Sequence, residues 1–586
     1  MISDAWKKPS LWRTAAAERV SETARGQMIS TSAAGVDCAF LTIVVAASLM
    51  LYVGHLGFYY DDYSVLERMR VSDDGSLLGL YHAVRPATGQ RPLQALTFAT
   101  LYWIFGDDPL GYHVSNACLL VVVASLLYLI LRELRLPRLL CVAVPLVYST
   151  VPHYATNRFW LDAFQITLSG AFFLASLYAG LRCLRASWPG LGLWLFLAVV
   201  GVGASLLAYE VVYPLFILNL GLIWWAARLL PRAELNRLAA PITLAVLGAS
   251  ILVFGLAKAA LVAEHGQNGY QVGFQQGFLH HLLYLVSGSV KLNLGTYFLA
   301  FPYVLWWIVR HHFSAADAAV AAMTGLVAFL YLLHLGRRER DRFAASGVWR
   351  GAVAVGVLAL VLGYAIFVTN ANVLFRSAGI DNRVNAGAAL GVAGIFVGVV
   401  GWLVGRLDPR WSSIAFSATV ASAVVAGVFV INSLGSFWTN ASRQQQAIVS
   451  GLAEATGPHR PWSTLILDGS CPETGPAVVF ADQWDLRGAL RARYHDHTLV
   501  ADVAAEGMRA TPRGLALEMT FVEQISTRTY PYGPDLAVYD ASNRRLYRLL
   551  DRRQAAEYLA RSRPSFRCAP QRSFAWGFDP RRWSLL

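Results

Sequence analysis

The sequence predicts an α-helical polytopic membrane protein of about 11 transmembrane helices with a C-terminal soluble α/β domain. Three observations predict it. Apolar runs near the twenty-residue length of a bilayer-crossing helix recur from Asp37 to Ser433. Of 586 residues, 56% are hydrophobic and only 15% are charged, with mean hydropathy +0.45. After Ser433 the character changes to ordinary polarity, with short alternating runs such as STLILDG and AVVFADQWDLRGAL. A bilayer cannot hydrate bare backbone, so Leu, Val, Ala and Phe runs of this length form helices rather than barrel strands.

The first run, Cys38 to Leu56, follows a leader carrying Lys7, Lys8, Arg13, Arg19 and Arg25. That leader is long for a signal peptide, and no small-residue cleavage site follows the run, so a retained anchor is expected, with residues 1–36 cytoplasmic. Assigning basic loops to the cytoplasmic face places spans near 38–57, 112–132, 138–154, 161–181, 190–208, 211–229, 240–262, 314–335, 347–369, 386–405 and 411–433. The cytoplasmic loops are then RELRLPR, RCLRASW, RLLPRAELNR, GRRERDR and RLDPR, all rich in arginine. The opposite loops include FYYDDY, VPHYATNR, the loop after Glu264, and RSAGIDNR. Leu93 to Gly106 is too short to cross, and Leu279 to Arg310 is interrupted by Gly288, Lys291, Asn293, Gly295 and Pro302. Both read as membrane-surface or re-entrant helices on the outer side.

An odd number of crossings separates the chain's two ends. The expected organisation is a membrane domain over 37–434 and an extracytoplasmic soluble domain over 435–586, in a bacterial inner (cytoplasmic) membrane. The net charge of +13 sits between apolar runs, where it orients a membrane protein, so no nucleic-acid partner is expected. Cys38, Cys118, Cys141 and Cys183 fall in or beside apolar runs as small buried groups. Cys471 and Cys568 lie in the polar part, where an oxidising compartment would let them pair. No metal-type cysteine spacing occurs, and HDH at 495–497 reads as exposed polar residues rather than ligands.

Polar groups beside spans are the informative ones, because they cost free energy in a bilayer and need a partner or a task. They cluster on the outer side. Asp61 and Asp62 follow the first span; Arg91 and His113 precede the second; His153, Arg158 and Asp162 separate the third and fourth. Tyr209 and Glu210 join the fifth and sixth, and Arg376, Asp381, Asn382 and Arg383 join the ninth and tenth. This set suits an anionic, lipid-linked donor. Sugar transfer from a polyprenyl phosphate needs a base for the acceptor hydroxyl and a cation for the departing phosphate. Phosphate leaves readily as an anion, so no acid partner is required.

The stretch HAVRPATGQRPLQALTFATLYWIFGDDPLGYHVSNACLL resembles the region after the first span in the C-type glycosyltransferase superfamily. It is most similar to the membrane part of the transmembrane-and-tetratricopeptide O-mannosyltransferases and their bacterial relatives. Their RPL, FG-x-x-P-x-GYH and following Asn are matched by Arg91, Pro92, Leu93, Phe105, Gly106, Pro109, Gly111, Tyr112, His113 and Asn116. Tyr209 and Glu210 take the place of a Lys-Glu or Tyr-Glu pair. The resemblance covers roughly residues 38–230, lacks tetratricopeptide repeats, and does not extend to the C-terminal domain.

It implies a glycosyltransferase that moves one sugar from a polyprenyl-phosphate-linked donor to a glycan, lipid or protein acceptor, with inversion. The acidic residue that acts as base carries over to Asp62 or Asp61. Asp62 as base leaves Asp61 to cap a helix starting near Tyr63, and the reverse assignment is as open. Arg383, Arg376 or Arg91 would hold donor phosphate. His113, His153, Arg158, Glu210 and Tyr209 are further site candidates, with hydrogen bonding for His113 and a salt bridge from Glu210 to Arg158 or Arg91 as the structural readings. Paired carboxylates at Asp61 and Asp62 leave open a divalent cation, Mg or Mn, at the phosphate. The alternative function is a flippase of lipid-linked sugar. It needs a polar path, yet the span centres carry almost no ionisable residue, Lys258 near one end being an exception.

Overall fold

A computed structural model describes residues 31–230, 236, 238–265, 277–339, 346–369, 373–457, 460, 462–504, 508–521 and 524–562. The leader through residue 30, the loop after His265, most of RLLPRAELNR, part of GRRERDR, and Cys568 lie outside the described residues. The helices in chain order are α1 (Thr31–Ala47), α2 (Asp61–Arg70), α3 (Leu77–Thr88), α4 (Pro92–Phe105), α5 (Pro109–Glu133), α6 (Arg138–Thr150), α7 (Thr156–Phe159), α8 (Phe164–Cys183), α9 (Trp188–Ala208), α10 (Phe216–Leu229) and α11 (Ala239–His265). There follow α12 (Phe278–Val290), a π-helical stretch (Lys291–Leu299), α13 (Phe301–His311), α14 (Ala315–Arg338), α15 (Ser346–Ala365), α16 (Ala386–Val404) and α17 (Pro409–Thr456). Among the described residues, eight helical segments are long and apolar enough to cross a membrane, or nine if the bent pair Phe278–Leu299 and Phe301–His311 counts as one span, and α1, α6 and α10 are shorter apolar helices. The eight and these three shorter helices each overlap one of the eleven expected spans, in a polytopic membrane protein.

Two sets of contacts orient the bundle. At one end, Arg138 Nε at the start of α6 donates to Asp37 of α1 at 2.7 Å, and the Arg138 and Leu139 amides donate to Glu339 beyond α14 at 3.1 and 3.0 Å. At the other, Tyr52 beyond α1 donates to Asp317 at the start of α14. So α14 runs from the Asp61 face to the Asp37 face. Helix α11 runs the opposite way: Ala239 packs with Cys183 and Leu191, and Lys258 reaches Glu210 at 3.0 Å. The intervening pair α12 and α13, bent by 59°, therefore starts and finishes on the Asp61 face. The interruptions at Gly288, Lys291, Asn293, Gly295 and Pro302 fall in or beside the π-helical stretch that produces this break.

The first helix differs from expectation. It ends at Ala47, and Ser48 to Leu56 forms turns and a short 3-10 helix rather than continuing a span to 57. Gly54 and Gly57 weaken the helix there. A Cβ on Gly57 would lie 2.4 Å from Ser442 Oγ and 3.1 Å from its Cβ, so the chain passes close against α17 and a larger residue would make Ser442 shift. The expected boundary at 434/435 falls inside α17, whose 48 residues span about 72 Å, far more than a bilayer core. The last span thus continues as one rod into the C-terminal domain.

That domain holds strands β1 (Thr464–Asp468), β2 (Glu473–Thr474), β3 (Ala477–Val478), helix α18 (Gln483–Tyr494), β4 (Val500–Val503), β5 (Arg509–Thr511), β6 (Gly514–Phe521), β7 (Gln524–Tyr530), β8 (Leu536–Asp540), β9 (Arg545–Arg548) and helix α19 (Arg552–Ser562). The main sheet has order β4-β1-β8-β9, parallel except for β9. Leu465, Leu467, Ala537 and Tyr539 join the core continuous with the membrane bundle. Alternate residues Ile466 and Val538 pack with Leu515, Leu517 and Tyr558 on the other face. Helix α18 docks against α2: Arg491 pairs with Glu67 at 2.5 Å, and a Cβ on Gly488 would lie 2.5 Å from Tyr63 O.

Candidate active site

The site forms where the turn before α2 meets the segment around α7. Tyr59 is buried, its hydroxyl donates to Trp438 O at 2.7 Å, and its carbonyl accepts from Trp160 Nε1 at 3.1 Å. Asp62 is fully buried; one carboxyl oxygen accepts the Tyr59 amide at 2.9 Å and the other accepts the Asp162 amide at 2.8 Å. One side chain thereby ties two loops together across 100 residues of sequence. Burial pushes its pKa well above the carboxylate range, and the two amides act against that.

The expected cap at Asp61 is corrected here. Helix α2 begins at Asp61 itself, and its N-cap residue Tyr60 makes no side-chain capping bond. The carboxylate that satisfies backbone is Asp62, because the chain turns at Tyr60 (φ 49°) and aims the Tyr59 amide back at it. Asp61 is left half-buried beside Asp162, Arg383, Trp484 and Asp482. Burial, then the Asp162 carboxylate, pushes its pKa up to about 7; the Arg383 charge and the Trp484 indole donor hold it down, and Asp482 adds a further rise.

Arg383 stacks 4.7 Å over the Trp160 ring, with the carboxylates of Asp162, Asp61 and Asp381 and the Tyr209 hydroxyl around it. Among the described residues it forms no ion pair. Asp162 is held by Gln94 at 2.7 Å. Arg376 is 60% exposed and pairs with Asp381, at 3.3 Å, at the edge of this cluster. Arg91 bonds both oxygens of Glu210, at 2.6 and 3.2 Å, and lies 4.0 Å over Tyr209. Lys258, itself buried, completes a half-buried triad on Glu210. Burial opposes ionisation, yet Arg91 and Lys258 hold Glu210 well below the usual carboxylate range.

The other candidates are drawn into packing. His113 is buried with Nε2 2.9 Å from Gly57 O, which fixes the turn ahead of Asp61. His153 stacks on Tyr297 at 3.7 Å, and burial pushes its pKa down to about 3. Arg158 is 2% exposed, donates to Ser48 Oγ at 3.1 Å and to Ser149 O, and is no partner of Glu210. Each Asp62 oxygen accepts one amide, so a divalent cation at this pair would be held chiefly by Asp61. Among the described residues no group of three or more His, Cys, Asp or Glu is arranged to hold a metal.

Trp484, Asp482 and Gln94 entered only with the structure. The soluble domain brings Trp484 against Tyr60 (ring centroids 5.3 Å), while Tyr60 donates to Asp482 at 3.1 Å and faces Trp160 at 6.1 Å. The only advance signal was the run ADQWDLRGAL, whose Asp caps a helix. Fold and site define a polytopic membrane protein with a carboxylate and a guanidinium facing one side.

No family model matches the chain, and no curated protein matches it. Among solved structures it is similar to ArnT from Cupriavidus metallidurans in the apo state, at 15% identity over 80% of this chain and 90% of that one, TM-score 0.36. The same protein bound to undecaprenyl phosphate matches at 15% identity over the same shares, TM-score 0.33. The Archaeoglobus fulgidus oligosaccharyltransferase, tethered with an acceptor peptide, matches at 13% identity over 80% of this chain and 63% of that one, TM-score 0.37.

Proposed function

We propose that the protein is a membrane glycosyltransferase of the C type, moving a sugar from a polyprenyl-phosphate-linked donor to a hydroxyl of a glycan, lipid or protein acceptor. One observation carries the reading: Asp61 sits half-buried at the start of α2 beside the guanidinium of Arg383, and burial raises its pKa above the usual carboxylate range. Asp61, rather than Asp62, takes the acceptor O–H proton. The acceptor oxygen attacks the anomeric carbon, the bond to phosphate oxygen breaks, and Arg383 holds the departing phosphate. A base with pKa near the working pH is both ionised and able to accept a proton. A single displacement inverts the anomeric centre.

Glu210 holds Arg91 through both oxygens and Arg91 stacks on the Tyr209 ring, so Arg91 positions Tyr209 rather than serving as the main phosphate contact. Cys471 is disulfide-bonded, which supports an oxidising, extracytoplasmic place for the soluble domain and hence for Asp61. The test is reconstitution into vesicles with labelled undecaprenyl-phosphate sugars. Release of free undecaprenyl phosphate and a product of inverted anomeric configuration are expected. Movement of intact donor across the bilayer without release would replace this reading with the flippase.

A further inference from the structure

Helices α2 and α18 come from opposite ends of the sequence and lie side by side. Just ahead of α2, Tyr60 meets the Trp484 ring at 5.3 Å between centroids and donates to Asp482 at 3.1 Å. One turn on, Gly488 faces Tyr63; the next turn brings Arg491 to Glu67 at 2.5 Å, and past it Arg70 Nη2 lies 3.4 Å from His495 Nε2. The contacts advance together, three or four residues at a time on each helix. The two helices therefore run parallel, each meeting the other along one stripe.

Gly488 sets how closely they approach. A Cβ there would lie 2.5 Å from Tyr63 O and 2.7 Å from Tyr63 C, backbone atoms that cannot swing aside as a side chain would. A side chain at 488 forces the helices apart. Glu67 and Arg491 set the register, with side chains only 10% and 20% exposed, and Arg491 Nε is itself fixed by a 2.7 Å bond to Leu499 O. The opposite side of α2 is committed elsewhere, because Val65, Leu66 and Met69 pack with Leu80, Val84 and Phe98. Helix α18 closes the remaining side, and at the first turn its Trp484 indole donates to Asp61.

We propose that Gly488 and Arg491 are positioning residues: the parallel pair of α2 and α18 aims Asp61, which makes the soluble domain an integral part of the transferase. This rests on the transfer reaction proposed above. Neither residue touches substrate; both act through α2 and Trp484, and a displacement of about 1 Å at a reacting group can cost about a hundredfold in rate.

Two measurements on the full-length protein in vesicles test it: undecaprenyl phosphate release per folded molecule, and hydrogen exchange of the α2 amides. Gly488→Ala should lower kcat about a hundredfold with donor KM unchanged, and exchange in α2 should quicken. Arg491→Met should lower kcat about tenfold, and Arg491→Lys, which returns a charge to Glu67, should recover part of that loss. A pair that merely joins two domains would let α2 exchange faster while the folded protein kept its kcat. That result overturns the proposal, as does unaltered exchange in Gly488→Ala or a loss carried by KM alone. Release by the wild type with unaffected variants overturns this proposal and leaves the transfer reaction standing, whereas no release by the wild type overturns both.

Discussion

The two faces of the helix bundle treat buried charge in opposite ways. On the Asp37 face, Asp37 is fully buried and accepts from Arg138 at 2.7 and 2.8 Å, from Tyr128 at 2.5 Å and from Tyr331. Glu133 there takes Arg182 at 2.9 Å and Arg185 at 2.7 Å, and Glu339 takes two amides of α6. Every such carboxylate is saturated, and each joins different helices. On the Asp61 face, Asp62 and Glu210 are saturated in the same manner, but Asp61 and Arg383 share one pocket with no ion pair of their own among the described residues. Complete partner sets lock helix ends; an incomplete set leaves charge available for a substrate.

Substitutions can break or sharpen that contrast. The largest effect is expected at the proposed base: Asp61→Asn should lower turnover by about a thousandfold in the vesicle release assay, with unchanged thermal unfolding. Asp37→Ala should do the reverse. It strands Arg138 and should cost about 3–5 kcal/mol of stability in detergent unfolding, while the folded fraction keeps its turnover. Arg383→Ala should reduce turnover about a hundredfold, with partial recovery in Arg383→Lys, since charge returns without the planar fork. Asp62→Asn replaces one acceptor with a donor facing an amide and should cost about 1–3 kcal/mol in the same unfolding measurement. A catalytic loss there without destabilisation would reverse the roles of the two aspartates.

The smallest effect is on pH. Asp61 must be ionised to act, and its folded pKa is raised to about 7, so activity should rise with pH through that value and then level off. Asp162 raises that pKa, so Asp162→Asn should move the rising limb to lower pH. Trp484 lowers it, so Trp484→Phe should move the limb to higher pH. A profile indifferent to both changes would detach the limb from Asp61.

Local pattern made much of this legible. Apolar runs and arginine-rich loops located the crossing helices, because twenty apolar residues and basic flanks are read one segment at a time. The broken character of 279–310 followed from its glycines and proline. Which aspartate stays available was not legible: it depends on the Tyr59 and Asp162 amides, the second of them 100 residues away, meeting Asp62. The contribution of Trp484 and Asp482 depends on α18 docking onto α2 across more than 400 residues, through Arg491 and Glu67. No periodicity records such a contact. Lys258 stood out as an ionisable residue in an apolar run, but its partner Glu210 appears only once α11 is seen to end on the Asp61 face.

The most direct test compares wild type, Asp61→Asn and Asp62→Asn in one experiment, measuring undecaprenyl phosphate released from labelled undecaprenyl-phosphate sugars in vesicles. The account predicts release by the wild type, almost none by Asp61→Asn at full thermal stability, and release by the folded fraction of Asp62→Asn. Undiminished release by Asp61→Asn would contradict it.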